Sequence, residues 1–427
     1  MKHQINLAAI VAMALGSCIT YKEAPVDLAH DTAEWAAISS AVCKGNRLSK
    51  EQMLQTGLLL NRELNQARLK AAKSTSVAEF SGLWADPTVS FEIERVFGEN
   101  ITNSALAPGL TLPVTGLPAL AKKIAEQYKE ADYWRMKVAE QNYMTELECL
   151  RHRIMVTHEK LRVIQARLSV ASAEHKQIAR LHQLGEIDFG AFQVAAQRLN
   201  DTEEAEKELD IEHTRLRHEL IEKLGLHPIV GVIELSGALP ESVPGKVSVP
   251  TADALLKSPS LMVLQAEYGA SENELRAEIR KQYPELGISP GYARDDGNDE
   301  FSIGVSIPLS IWNRNREAIA RADGDRAIKQ AELISEWRNL LQQSAFINAE
   351  QIILRQHCAD EYEELSALDA AAAKQMQLFE LGETKIQELA EARHVAFERR
   401  LQYLDCLENL LITRCKLQYL NPDFNKQ

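Results

Sequence analysis

The chain has 427 residues, a formal net charge of −13, 26% charged residues and only 6% aromatic residues. The excess of carboxylates disfavours polyanionic partners, so we expect no nucleic-acid binding. Few aromatics beside many Ala, Leu, Glu, Gln and Arg residues are typical of long helices packed along seams, which argues against a thick globular core.

The first residues have the pattern of a bacterial secretory signal. A mostly apolar run from Ile5 to Leu15 has the length of a signal core and is too short for a stable transmembrane helix. The following Leu15-Gly16-Ser17-Cys18 resembles the lipobox of bacterial lipoproteins, in which the Cys is acylated, for example with palmitate, and becomes the first mature residue. Ile19 stands where an Asp would favour the inner membrane, so we predict a lipidated Cys18 at the outer membrane. An ordinary cleaved signal with a chance Cys is the alternative.

Two different patterns follow the signal. Residues 18–47 have no clear period and are interpreted as an extended leader. A helix is then predicted from Ser49 to about Trp84, because Ser49 and Gln52 have the spacing of a capping box and Ala85-Asp86-Pro87 ends the helical pattern.

Four segments alternate between polar and apolar residues and are predicted to be strands of two hairpins. They are residues 88–94, 106–112, 285–289 and 301–307. Each segment would have one apolar face and one face that carries Ser, Thr and Glu, as tilted transmembrane strands do. A soluble sheet is the alternative. Because about eight strands are the minimum for a closed barrel, membrane-spanning strands of this chain would have to share a barrel with other copies.

Long helices with a heptad seam follow each hairpin. Pro118 takes a favoured first-turn position in a helix predicted to reach Leu184, and another helix is predicted from Phe189 to Leu224. The first of these would span about 100 Å, roughly the length of two shorter helices placed end to end. The pattern therefore predicts a wall in which each long helix lies beside a stacked pair of short ones.

The second half of the chain repeats the first at an offset of 197 positions, so that Leu64 aligns with Leu261 and Gly185 with Gly382. A repeat this long indicates duplication of a whole structural unit, with helices at 251–282, 315–381 and 384–420 in the second copy. The predicted boundaries are a signal at 1–17, a leader at 18–47, a first repeat at 48–224, a Gly- and Pro-rich linker at 225–250, a second repeat at 251–420 and a tail at 421–427.

The cysteines and histidines do not predict a metal site. Beyond Cys18 there are five cysteines, an odd number that does not suit a disulfide framework, and their spacing matches no zinc or redox motif. Cys358 and Cys406 fall on an apolar helix seam and are predicted to be small buried side chains rather than ligands. Cys149 and His152 lie three residues apart, but two ligands do not make a closed zinc site, so no metal and no cofactor is expected.

Three segments resemble the TolC family of outer-membrane efflux channels. Asn61-Arg62-Glu63-Leu64 is similar to the family's N-P-E-L motif with Arg in place of Pro, and residues 83–91 are similar to its entry into the first strand. Residues 305–316 resemble the exit from the last strand in the family's heavy-metal cation branch, and the whole likeness extends from about residue 49 to 420. It implies a mainly α fold with β: a duplicated helix–β-hairpin–long helix–helix unit, whose trimer forms an outer-membrane β-barrel, with four strands per chain, continuing into a periplasmic α-helical coiled-coil barrel.

The resemblance also implies a function. The expected protein is a passive exit duct of a tripartite efflux system and not an enzyme, and the sequence has no Walker loop, nucleophile elbow or dinucleotide fingerprint. A periplasmic adaptor (membrane fusion protein) and a proton-driven inner-membrane pump of the resistance–nodulation–division (RND) type are the expected partners, with heavy-metal cations as cargo. The alternatives are a drug-efflux or type I secretion channel and, from another class, a structural coiled-coil periplasmic lipoprotein.

Two turns correspond to the family's docking elements. Leu184-Gly185-Glu186 and Leu381-Gly382-Glu383 each join two antiparallel helices at the end farthest from the barrel. The resemblance implies that these tips contact the adaptor. A glycine that merely ends a helix is the alternative interpretation.

Two carboxylates correspond to the family's tunnel mouth. Glu388 and Glu391 match the acidic positions that constrict the closed mouth, and their spacing places them on one helix face. Threefold symmetry would gather six carboxylates there, which would attract cations. The first copy has Ala191 and Val194 at the equivalent positions, so we expect the gate in one copy only. A solvated charged face is the alternative.

Overall fold

The structure, a computed structural model, describes residues 21–43, 45, 47–96, 101–295, 298–309 and 311–421. The predicted signal at 1–17, Cys18 and residues 422–427 of the predicted tail lie outside the described residues. The helices are α1 (Leu28–Val42), α2 (Lys50–Leu60), α3 (Arg62–Glu79), α4 (Leu117–Gln183), α5 (Phe189–Lys223), α6 (Ala252–Leu255), α7 (Pro259–Arg280), α8 (Arg316–Glu380) and α9 (Ile386–Leu420). The strands are β1 (Arg47–Leu48), β2 (Thr88–Val96), β3 (Ile101–Leu112), β4 (Glu234–Leu235), β5 (Leu286–Asp295) and β6 (Asn298–Ser306).

The leader contains a helix, α1, so the prediction of an extended segment is wrong for Leu28–Val42. Asp27 caps this helix, because its carboxylate accepts hydrogen bonds from two backbone N–H groups of the first turn at 3.0 and 3.1 Å. Most of the helix is exposed, and Trp35 anchors it by donating from Nε1 to Gly225 O at 2.7 Å. Ser39 is buried and adds a second contact, since its Oγ accepts from His227 N at 2.9 Å. Isolated contacts of this kind leave no periodic signal in the sequence.

The helix predicted from Ser49 to Trp84 is present, but it is shorter and is broken once. Its capping box between Ser49 and Gln52 is confirmed. The break divides α2 from α3 at Asn61, and α3 ends at Glu79, five residues before the predicted end. The prediction overlooked these limits because helical periodicity continues through both.

Asn61 explains the break, since it joins the two short helices of the first copy. Its Oδ1 accepts from Leu64 N at 2.9 Å and caps α3, while its Nδ2 donates to Lys223 O at 2.9 Å at the end of α5. The helices α3 and α5 therefore stack end to end beside α4, as their lengths predicted. In the second copy Ser258, 197 positions after Asn61, separates α6 from α7, so the helix predicted at 251–282 is also broken.

Both predicted hairpins are confirmed, and they join in one antiparallel sheet of order β2-β3-β5-β6. The strands are longer than the alternating pattern indicated, since β3 begins at Ile101 and β6 at Asn298. Cross-strand pairs such as Ala105 with Ala293 fix which residues share a face. The strands β2 and β6 lie at the two edges, so the four strands of this sheet form an open sheet.

The two long helices organise the helical part. The helix α4 packs against α3 and α7 near the sheet and against α5 and α9 farther away, while α8 packs against α7 and α9. The predicted bounds of α4, α5, α8 and α9 agree with the structure to within two residues. One core surrounds Leu147 and Leu220, and a second includes Val156 and Leu407. In the described part of the chain, no helix combines the length and the apolar character needed to cross a membrane.

Cys358 on α8 and Cys406 on α9 are buried, as predicted, but they also form a disulfide that the sequence did not indicate. The antiparallel pairing of the two helices brings together cysteines that are 48 positions apart. The odd cysteine count concealed this pair, because the other described cysteines, Cys43, Cys149 and Cys415, are free thiols. The bond links the last long helix to the last short one.

The predicted linker at 225–250 is an ordered strap rather than a loose connection. Its strand β4 pairs in parallel with β1. Leu239 and Val243 then pack against the core that α9 shares with α4, and Val247 N donates to Gln351 Oε1 of α8 at 2.6 Å. The strap therefore contacts helices of both copies.

Candidate functional site

Both predicted docking turns have the same hydrogen-bonded form. After α4, Gly185 N and Glu186 N each donate to carbonyls of the last helical turn at 3.0 Å. After α8, Gly382 N and Glu383 N do the same at 3.0 and 2.9 Å. These are Schellman motifs, which require a left-handed residue, and φ is +78° at Gly185 and +75° at Gly382. The two turns are therefore tight and nearly identical.

The outer surface of each turn is open and presents an exposed leucine next to an exposed glutamate. Leu184 and Leu381 keep 65% and 72% of their surfaces exposed. A Cβ added at Gly185 or Gly382 would meet no atom within 4 Å, so only the backbone conformation demands glycine there. Two exposed leucines on rigid turns suit contact with an apolar partner surface.

A small shared core places the two turns side by side. Ile178 on α4, Ile187 after the first turn and Ile386 at the start of α9 are each at most 9% exposed and pack together. Phe192 of α5 stacks on His182 with ring centroids 5.3 Å apart. Because both copies contribute to this core, the two turns lie at one end of the helices; we call this end the tip.

The two copies begin their last helices differently. In the first copy Asp188 caps α5 by accepting from Ala191 N at 2.7 Å. The equivalent residue in the second copy is Lys385, which makes no side-chain cap, and Thr384 Oγ1 instead donates to Glu388 Oε2 at 2.6 Å. The predicted gate residue Glu388 is thus held in the first turn of α9, where a carboxylate also interacts favourably with the helix dipole.

The second predicted gate residue, Glu391, forms an ion pair with Arg198 of α5. The side chains of Glu391 and Arg198 are 56% and 21% exposed. The sequence reasoning missed Arg198, because it belongs to the other copy and nothing in its local pattern connects it with Glu391. The structure therefore places a cation, Arg198, at the tip. Arg198 links α5 to α9 and offsets the negative charge of Glu391.

The four-stranded sheet has one apolar face that lies open on the outside of the chain. Its exposed side chains alternate along the edge strands with polar or small ones, in agreement with the prediction. They include Val89 at 61%, Phe91 at 57%, Ile93 at 62%, Phe301 at 74%, Ile303 at 67% and Val305 at 62% exposed. An ordered strip of aliphatic and aromatic side chains is typical of a surface that contacts lipid or another protein.

The opposite face of the sheet carries carboxylates at one level. The register pairs Glu92 with Ala105, Ala105 with Ala293, and Ala293 with Glu300. This row crosses all four strands, so Glu92 and Glu300 stand on the same face at the two edges of the sheet. Within one chain, Ala105 and Ala293 lie between the two glutamates in this row across the sheet.

The cysteine and histidine considered as metal ligands do not meet in a site. A hydrogen bond with Cys415 lowers the pKa of Cys149. Burial lowers the pKa of His152 to about 4, and its Nε2 lies 3.7 Å from Glu148 Oε1. Within the residues that the structure describes, no group of three or more His, Cys, Asp and Glu side chains is arranged to hold a metal ion.

Comparison with known proteins agrees with this architecture. Residues 251–420 match the family described as Outer membrane efflux protein. The cobalt-zinc-cadmium resistance protein CzcC of Cupriavidus metallidurans is 32% identical over 162 residues, which are 36% of this chain and 37% of that protein. The match therefore spans little more than a third of the curated relative's length.

Solved structures extend the likeness to nearly the whole chain. CusC superposes with a TM-score of 0.74 at 14% identity, over 87% of this chain and 92% of CusC. OprN gives a TM-score of 0.75 at 15% identity, over 87% and 89% of the two chains. CmeC of Campylobacter jejuni gives 0.76 at 12% identity, over 96% and 91%. At these identities the shared property is the fold.

By sequence, the second repeat is similar to the family described as Outer membrane efflux protein, and the chain as a whole shares its fold with CusC, OprN and CmeC.

Proposed function

We propose that the protein is the outer-membrane exit duct of a tripartite efflux system, through which substrate diffuses without catalysis. The observation that carries this proposal is the open sheet with one exposed apolar face and one polar face, attached to helices about 100 Å long. An apolar outer face with a polar inner face is the arrangement of strands that enclose a water-filled pore in lipid. The long helices would continue that pore through the periplasm.

The assembly is a trimer in this proposal. The strands β2 and β6 are the edges of the sheet, and a closed barrel has no edges. Three copies of the four-stranded sheet supply twelve strands, above the minimum of about eight for closure. The same closure would join the helices of three chains into one tunnel. Acylated Cys18 would add a lipid anchor in the outer membrane.

The tip is the proposed contact with the periplasmic adaptor, and the adaptor would connect the duct to an RND-type pump. The residues proposed for docking are Leu184, Gly185, Glu186, Leu381, Gly382 and Glu383. Support comes from the two exposed leucines and from the nearly identical geometry of the turns. Two equivalent turns per chain suit a partner that makes the same contact repeatedly around the tip. Glu388 and Glu391 are the proposed acidic gate.

Heavy-metal cations are the proposed cargo. One support is the similarity to CzcC, whose name describes cobalt, zinc and cadmium resistance. Another is the net charge of −13, together with Glu92 and Glu300 on the polar face of the sheet, because a negative pore wall attracts cations. A drug-efflux or type I secretion channel has the same fold, so the cargo requires its own experiment.

A deletion strain tests the cargo most directly. We expect reduced growth on cobalt, zinc or cadmium salts, restored by the plasmid-borne gene, and unchanged growth on hydrophobic drugs. Sensitivity to drugs alone would move the assignment to drug efflux. For the assembly, native mass spectrometry of detergent-purified protein should give three chains. Protein without Cys18 that stayed monomeric and soluble without detergent would indicate a structural lipoprotein instead.

A further inference from the structure

A cavity of about 160 Å³ lies between α4, α5 and α9 beside the tip. Its polar lining includes Arg167, Glu174, Arg198 and Glu391, and the rest is largely aliphatic. All of these residues belong to one chain, so the cavity does not depend on assembly. None of the roles proposed above requires a cavity at this position.

Arg167 of α4 is the unusual group in this cavity. The residue is 3% exposed, and both Nη1 and Nη2 are buried without a hydrogen-bond partner. Its nearest carboxylate oxygen, Glu174 Oε2, lies 3.6 Å from Nη1, which is beyond hydrogen-bond distance. Phe397 lies against the guanidinium, with 5.4 Å from Arg167 Cζ to the ring centroid. A buried guanidinium with unused N–H groups is unfavourable unless an acceptor is supplied.

The neighbouring carboxylates are already engaged by other arginines. Arg393 Nη1 donates to Glu174 Oε1 at 3.1 Å, and Glu391 is paired with Arg198. Unlike Arg198 and Arg393, Arg167 has no carboxylate within hydrogen-bond distance of its Nη atoms, since Glu174 Oε2 makes only a long ion pair with it at 3.6 Å. Burial lowers the pKa of Arg167, and Arg198 and Arg393 lower it further, while Glu174 and Glu398 oppose them. The two buried Nη groups of Arg167 that lack an acceptor call for a negative ligand.

We propose that this cavity binds a small monovalent anion, a halide or a formate-sized oxyanion, on the guanidinium of Arg167. The forked N–H groups of Arg suit either ligand, and the cavity has room for such an ion with ordered water. Aliphatic walls at Ala171, Ile178 and Ala195 exclude larger organic anions. The bound anion supplies the acceptor that Arg167 lacks and stabilises the packing of α4, α5 and α9 next to the Arg198–Glu391 pair.

Crystals of the full-length protein grown with bromide provide the first test. The proposal predicts an anomalous bromide peak in contact with the Arg167 guanidinium in every copy. Only water at this position, or bromide peaks confined to the outer surface, would overturn the proposal. This test needs no variant, and its result is independent of whether the trimer conducts ions.

Thermal unfolding in detergent provides the second test and separates the two ligand types. At equal ionic strength, sodium chloride or sodium formate should raise the wild-type midpoint by about 2 °C or more over sodium gluconate, whose anion is too large to enter. A shift with chloride alone indicates a halide site, and a larger shift with formate indicates an oxyanion site. Arg167→Met should remove the shift, whereas Arg162→Met, an exposed position on the same helix, should retain it. Equal midpoints in all three salts would contradict the proposal.

Discussion

Arg198 on α5 and Glu391 on α9 form an ion pair across the tip, although the two residues come from different copies of the duplicated unit. Opening the tip by moving α9 away from α5 would break this pair. In the proposed closed duct, carboxylates of different chains would therefore repel each other at the constriction, while Arg198 and Glu391 attract each other inside each chain. Both parts can be tested separately.

Removing the acidic side chains should widen the pore at the tip. Glu388→Ala combined with Glu391→Ala is expected to raise single-channel conductance in planar bilayers several-fold, because the constricting side chains and the link to Arg198 are both lost. Arg198→Ala should give a smaller rise, since it removes only the link. Glu204→Ala, an exposed carboxylate on α5, serves as the control and should leave conductance unchanged. Unaltered conductance and cation selectivity in the double variant would exclude the gate.

Replacing the two tip leucines should uncouple the duct from its adaptor. Leu184→Ser with Leu381→Ser is expected to abolish metal resistance in cells while leaving trimer yield and bilayer conductance intact. Stability should change by no more than about 0.5 kcal/mol, because both side chains are exposed. Ile229→Ser, an exposed apolar position in the strap, should retain full resistance. Full resistance in the double tip variant would remove the docking assignment.

The row from Glu92 to Glu300 predicts a charge effect inside the pore. In a closed trimer, β6 of one chain would pair with β2 of the next, so the two carboxylates would alternate around one level. Glu92→Gln with Glu300→Gln should lower the cation-to-anion permeability ratio by about threefold or more, because wall charge sets the local ion concentration. The reversal potential in a salt gradient measures this ratio. The control variant Glu285→Gln, at a position before β5, should leave the permeability ratio unchanged. An unchanged ratio in the Glu92→Gln, Glu300→Gln variant would mean that Glu92 and Glu300 do not face the pore.

The buried His152 predicts a loss of stability in acid. Its pKa is lowered to about 4 by burial, so between pH 6.5 and 4 the unfolded chain binds a proton that the folded chain does not. Stability should be complete above pH 6.5, fall by about 1–3 kcal/mol as the pH drops to 4, and change no further through this group below pH 4. Thermal midpoints across this range should fall less in His152→Gln than in wild type or in the exposed control His218→Gln. Parallel curves for all three proteins would contradict the assignment.

The parts of the fold that sequence predicted well are those set by local patterns. Heptad seams predicted the bounds of α4, α5, α8 and α9 to within two residues, and the alternation of polar and apolar residues located the strands of the two hairpins. The parts it missed depend on contacts between distant segments. Trp35 anchors α1 on Gly225. Asn61, which lies between α2 and α3, donates from its side chain to Lys223 O at the end of α5. No window along the chain contains both partners of such a contact.

In the candidate site, too, residues set by local patterns were predicted and residues set by contacts between distant segments were not. Gly185 and Gly382 were recognisable because a left-handed helix end almost demands glycine, and their φ values confirm the turns. Arg198 was not recognisable, because its partner Glu391 is 193 positions away. The Cys358–Cys406 bond was missed for a related reason: it depends on how α8 and α9 pair, and an odd cysteine count pointed away from it.

Planar-bilayer recording of the purified full-length protein tests most directly whether the chain assembles into a conducting duct. We expect uniform, discrete and cation-selective conductance steps, and larger steps for the Glu388→Ala, Glu391→Ala double variant. Trimers that insert into the bilayer, as shown by their protection from external protease, yet produce no steps in either protein would contradict this expectation.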